Sequence, residues 1–138
     1  MARNYRLVVF DWDGTLLDSA GAIVACMQAA AIDLGLTPPD ERTARQVIGL
    51  GLHAALAQAL PGVPAGEYPR VAERYRHHYL SQDHELSLFA GAHELVEELS
   101  EAGCLLGVAT GKSRLGLNRA LEASGLKSFF HATRCADE

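Results

Sequence analysis

Near the start of the chain stands Leu7-Val8-Val9-Phe10-Asp11-Trp12-Asp13-Gly14-Thr15-Leu16-Leu17-Asp18-Ser19. Its first four residues are apolar without interruption, the pattern of a strand buried on both faces inside a parallel sheet. Asp11 and Asp13 follow at once, at the C-terminal end of that strand, where open α/β sheets place their ligand crevices. Alternate side chains of an extended segment point the same way, so the two carboxylates share a side and Trp12 turns to the other, toward packing. Gly14 lets the chain turn sharply, and Thr15 offers a hydroxyl to tie the turn down. A lone Asp-Gly after a strand is an ordinary turn. Two acids at this spacing beyond a buried strand are also a pair available for nucleophilic and acid–base work.

Outward from this stretch, Asp18 or Ser19 caps a helix whose Ile23, Met27, Ala30 and Leu34 fall at helical spacing, with Gly35 as a left-handed stop. Thr37 to Asp40 make a turn, and Glu41 to Val47 continue as helix until Gly49. Gly49-Leu50-Gly51 breaks the pattern. A third helix, around His53 to Leu60, ends at Pro61-Gly62. A fourth carries Tyr68, Val71, Ala72, Tyr75 and Tyr79 on one side and Glu73, Arg74 and Arg76 on the other. Residues 18–85 thus read as an all-helical block inserted after the first strand.

An α/β rhythm resumes at Leu88. A helix over His93 to Ala102 stops at Gly103 and feeds the apolar run Cys104 to Ala109, which ends in Thr110-Gly111-Lys112-Ser113. Ser113 caps a helix over Arg114 to Ser124, Gly125 closes it, and Phe129 to Cys135 form a third strand. Helices between strands imply right-handed parallel crossovers, so the two hydrophobic strands lie adjacent with both polar tips at one edge.

Asp-x-Asp-Gly-Thr after four apolar residues resembles the signature of the haloacid dehalogenase-like superfamily, and Asp11 to Ser19 is most similar to its phosphoglycolate phosphatase-type branch. The resemblance covers nearly the whole chain. It implies an α/β fold, with a Rossmann-like parallel sheet core over 1–17 and 86–138 and an inserted helical cap over 18–85. It also implies a Mg²⁺-dependent phosphatase acting on a small phosphorylated metabolite, phosphoglycolate-like or a sugar phosphate, through an aspartyl-phosphate.

On this resemblance Asp11 is the nucleophile and a Mg²⁺ ligand. Asp13 lends the metal its backbone carbonyl, while its side chain protonates the leaving alkoxide and then activates water. Thr110 and Gly111 match the second, phosphate-binding motif, and Lys112 on the same loop is a candidate substrate contact. Gly49-Leu50-Gly51 resembles the substrate-specificity loop of the family's caps, with a helix–helix connector as the plainer reading. Dehalogenating members lack the second acid, so Asp13 argues for phosphate esters over halo-acids.

The family's later motifs, a lysine after the third strand and an acidic strand end, find no counterpart; Lys127 precedes the third strand and does not match. The expectation is therefore a truncated core, a weak Mg²⁺ site and a first strand left as an edge that either self-associates or leaves apolar surface that makes the chain poorly soluble. Two alternatives stay open: a phosphomutase of the same superfamily, and a non-catalytic truncated or degenerate member.

Composition narrows the partners. Twelve Lys and Arg against 17 Asp and Glu give a formal charge of -5 over 138 residues, with no basic cluster that could neutralise a row of phosphates, so nucleic acid is not expected. No stretch approaches the ~20 apolar residues of a membrane span, and the expected location is the cytoplasm. Cys26, Cys104 and Cys135 are far apart and read as buried thiols, and the six His show no metal-ligand spacing.

Overall fold

Leu7–Phe10 forms strand β1 and Leu105–Ala109 strand β2, paired in parallel with Leu7 opposite Leu105 and Phe10 opposite Val108. The computed structural model describes residues 5–138. A third strand, β3 (Ala132–Arg134), lies parallel on the far side of β2, with Val108 opposite Thr133. The sheet order is β1-β2-β3, so β1 and β3 are its outer strands among the described residues. The chain divides into two compact units: the chain up to Asp18 with Ser87–Glu138, and Ser19–Leu86.

The helical unit holds α1 (Ala20–Asp33), α2 (Glu41–Gln46), α3 (Leu52–Ala59) and α4 (Tyr68–Gln82). Asp40 caps α2 by accepting from the Thr43 N–H at 2.7 Å, and Gly35 sits at φ 70° just beyond α1, as a left-handed stop requires. One apolar cluster fills the unit: Ile23, Met27 and Ala30 from α1, Leu56 from α3, and Val71 and Ala72 from α4. Tyr68, Tyr75 and Tyr79 pack at its margin, on the side of α4 that the periodicity indicates. At the end of α1, Asp33 accepts from Arg74 at 2.8 Å and meets His78 Nε2 at 2.7 Å. The hydrogen bonds from His78 first, then Arg74, hold the Asp33 carboxyl below the usual carboxylate range. Gly49, at φ 100°, turns the chain between α2 and α3.

In the sheet unit, α5 (Ala92–Glu101) precedes β2 and α6 (Arg114–Ser124) follows it. Ser113 Oγ accepts from the Gly116 N–H at 3.1 Å, and Gly125, at φ 72°, closes α6. Leu106 and Val108 are buried, Val8 and Phe10 partly so, and Phe130 meets the rings of both Phe10 and Trp12 edge-on at 6.4 Å.

Three expectations need correction. Ser19 stands at the N-cap of α1, but no side-chain hydrogen bond caps that helix. The unbroken apolar run of β1 predicts burial on both faces, yet Leu7 and Val9 are each 55% exposed, as is Leu105 opposite at 52%. Successive side chains of a strand alternate, and no described element covers the side that carries Leu7, Val9 and Leu105. The third strand is also shorter than 129–135. Lys127–Phe129 is a 3-10 turn, closed by Phe129 N–H to Leu126 O at 3.0 Å, and strand geometry begins only at Ala132.

Cys26, Cys104 and Cys135 are buried and free. Burial pushes the Cys26 and Cys135 thiols up, which keeps them protonated and poor nucleophiles. Among the described residues no helix is long and apolar enough to cross a membrane.

Candidate functional site

The parallel register of β1 and β2 sends both polar ends out of the same edge of the sheet. β1 ends at Phe10 and continues into Asp11 and Asp13; β2 ends at Ala109 and continues into Thr110, Gly111 and Lys112.

Trp12 anchors the first loop. Its side chain is fully buried, and its carbonyl accepts from the N–H groups of Thr15, Leu16 and Leu17 at 3.0–3.2 Å. Gly14, at φ 76°, allows the return, and its own N–H donates to Leu17 O at 2.9 Å. The turn predicted at this glycine is thus closed through backbone donors. Burial of the indole leaves Trp12 Nε1 without a hydrogen-bond partner among the described residues. An unsatisfied buried donor costs about 1–3 kcal/mol, which the packing of the ring must offset.

Asp11 is exposed, and its Oδ1 accepts from the Trp12 N–H at 2.8 Å, which fixes one carboxylate oxygen against the backbone. Asp13 is different. Its carboxylate faces Lys112 Nζ at 3.3 and 3.4 Å, and both side chains are nearly enclosed, at 12% and 11% exposure. These two residues lie 99 apart in sequence, and no local pattern signals their contact. A loop lysine in isolation reads as a solvated charge; the structure instead places it on the second acid.

The second loop is built from the backbone. Thr110 donates its N–H to Arg134 O at 3.0 Å, and its Oγ1 accepts from the Lys112 N–H at 3.1 Å. Lys112 O accepts from the Ala136 N–H at 3.0 Å. Gly111 thus sits between two peptide units held by the end of β3 and the residues that follow it. That segment carries contacts the sequence reading missed: Arg114 reaches Glu138 and Thr133, residues 24 and 19 positions away, and only the fold reveals their proximity.

Mg²⁺ takes oxygen donors and is commonly held through one or two carboxylates with water and substrate phosphate completing the octahedron. The Asp11 carboxylate and the groups of Asp13 are donors of that class and fit the ion. Among the described residues no group of three His, Cys, Asp or Glu is placed to hold a metal by itself.

Comparison with known proteins identifies the family. The sequence model described as Haloacid dehalogenase-like hydrolase matches residues 8–138. The chain is 37% identical over 136 residues to a probable phosphatase, IndB, of Dickeya dadantii, covering 95% of this chain and 59% of that protein. It is 31% identical over 125 residues to a phosphoglycolate phosphatase of Synechococcus elongatus, covering 91% of this chain and 58% of the relative. The fold is similar to the crystal structure of a predicted phosphoglycolate phosphatase from Haemophilus somnus, with a TM-score of 0.84 at 22% identity over 96% of this chain and 63% of that one. The chain therefore spans 58–59% of the length of these two curated relatives. With a parallel sheet, a helical unit inserted after β1 and a family match that runs from Val8 to Glu138, the chain belongs to the haloacid dehalogenase-like hydrolase family.

Proposed function

We propose that this chain carries the nucleophile, the acid/base and the phosphate loop of a Mg²⁺-dependent phosphatase acting on a small phosphorylated metabolite, phosphoglycolate-like or a sugar phosphate. One observation carries the reading: Asp11 and Asp13 leave the sheet at the same edge as Thr110, Gly111 and Lys112, and Lys112 reaches Asp13. The similarity to a phosphoglycolate phosphatase and a probable phosphatase supports the same class.

Asp11 supplies the attacking oxygen. Its free carboxylate oxygen bonds to phosphorus as the ester oxygen departs, giving an aspartyl-phosphate and splitting one displacement into two easier ones. Asp13 donates a proton to the departing alkoxide, then removes one from the water that attacks the aspartyl-phosphate. Thr110 and the Gly111 N–H hold the phosphate oxygens, and Lys112 offers a cation to the anionic substrate. Mg²⁺, held through Asp11 and the Asp13 carbonyl, would neutralise charge on the transferring group.

By the family resemblance, Ser19–Leu86 serves as the substrate-selecting cap, with Gly49-Leu50-Gly51 as its specificity loop. A cytoplasmic location goes with a substrate of this class, and a second copy of the chain, meeting the exposed Leu7 and Val9 of β1, is its proposed partner.

Asp11→Asn tests the central claim. It keeps the shape of the side chain and removes the nucleophile, so phosphate release and phosphoenzyme formation should both vanish while the circular dichroism spectrum stays unchanged. Substantial turnover by this variant, or a covalent phosphate mapped to another residue, would overturn the reading.

A further inference from the structure

Within the loop that joins β2 to α6, the Lys112 N–H donates to Thr110 Oγ1 at 3.1 Å. The loop is also gripped on both sides of Gly111 by the end of β3 and the residues just after it, through Thr110 N–H to Arg134 O at 3.0 Å and Ala136 N–H to Lys112 O at 3.0 Å. What fixes that segment is Arg114, the first residue of α6. Its Nε donates to Glu138 Oε1 at 2.7 Å and its Nη2 to Glu138 Oε2 at 3.0 Å, a two-toothed grip on one carboxylate. Its Nη1 donates to Thr133 Oγ1 at 2.7 Å and its Nη2 also to Thr133 O at 3.0 Å. The Arg114 backbone N–H donates to Asp137 Oδ1 at 2.9 Å, and Glu138 Oε2 accepts in addition from the Cys135 N–H at 3.2 Å.

One guanidinium therefore ties both ends of the 133–138 segment to the start of α6. Only an arginine has a planar fork able to serve both oxygens of Glu138 and both oxygens of Thr133 at once; the point charge of a lysine cannot. Mutual hydrogen bonding stabilises both charges: the Glu138 carboxyl is held below its usual range and the Arg114 guanidinium above its own.

We infer that Arg114 and Glu138 are a positioning pair for the proposed phosphate loop: clamped together, they hold the 133–138 segment in the one arrangement that orients the Gly111 peptide and aims Lys112 at Asp13. Neither residue touches the reacting atoms. The inference rests on the phosphatase reading for its purpose, though not for its geometry.

The test uses the whole chain with Glu138→Gln, which keeps the shape and drops the charge, and Arg114→Lys, which keeps the charge and drops the fork. Amide hydrogen exchange is followed at Ala136, Lys112 and, as an internal reference within α6, Leu121, and inorganic phosphate is titrated against each protein by NMR. Both variants should speed exchange at Ala136 and Lys112 while Leu121 keeps its rate. Phosphate affinity should fall about tenfold, the size of one charge-assisted hydrogen bond. Lysine restoring wild-type exchange and affinity would overturn the inference, since charge alone would then suffice. So would wild-type exchange at Ala136 and Lys112 in Glu138→Gln, or a uniform rise that includes Leu121. If the wild-type chain binds no phosphate, the phosphatase reading fails, and the selective loosening of Ala136 and Lys112 still decides whether the pair positions the loop.

Discussion

Asp13 and Lys112 meet at 3.3 Å in a place where each is nearly enclosed. A carboxyl group in such a setting is held in one orientation, as a group that must first donate a proton and then take one up needs to be. Asp13→Asn is expected to slow alkyl phosphates by about 10²- to 10⁴-fold while aryl phosphates, whose leaving groups need little protonation, lose much less. Comparing an alkyl and an aryl ester on the same variant checks this, and equal losses would count against the acid role. At this scale the sequence displayed the acids and the threonine plainly, because a strand end announces itself through the change from apolar to polar. It did not display Lys112 on Asp13, or Arg114 on Glu138. Those contacts join residues 99 and 24 apart, and periodicity describes only neighbours along one element.

Elements were legible where the chain carries its own punctuation. Asp40, Ser113, Gly35 and Gly125 act at helix ends as their chemistry dictates. The exposure of β1 was not legible, because an apolar run records what a strand could bury and not what is there to bury it. Gly107 in the middle of β2 shows how closely the strands approach: a Cβ there would stand 3.2 Å from Ala132 O and 3.7 Å from a Val9 methyl. Because the nearer obstacle is backbone, Gly107→Ala should displace β3 and destabilise the sheet unit by about 1–3 kcal/mol, the usual cost of overpacking. The urea midpoint followed by tryptophan emission measures it, and an unchanged midpoint would show that β3 moves freely.

In the helical unit, the bonds from His78 and Arg74 lower the Asp33 carboxyl in the folded state. A carboxyl lowered on folding contributes stability above its unfolded value, about 3.9, and that contribution is lost as pH falls through the folded value. The unit should therefore weaken below about pH 4 and Asp33→Asn should remove part of that dependence, as measured by the tyrosine signal against pH. An identical acid limb in the variant would assign the loss to other carboxyls.

At the scale of the whole molecule, β1 is an outer strand among the described residues, and its Leu7 and Val9, beside Leu105, turn apolar surface to water. Open strand edges and apolar patches both favour association. Light scattering after size exclusion should show a mass above that of one chain, rising with concentration, and Val9→Lys should lower it; a monomer at every concentration would remove self-association from the account. The two units also differ in their chromophores, the tryptophan lying in the sheet unit and three of the four tyrosines in the helical one. Trp12 is the sole tryptophan of the chain and lies fully buried between the two acids, while Tyr68, Tyr75 and Tyr79 all belong to the helical unit. Excitation at the red edge of the absorption band thus listens to the sheet unit alone, from the very loop that bears Asp11 and Asp13. The protein has a reporter dye already built in beside its proposed nucleophile, and occupancy of the site can be followed without attaching a label.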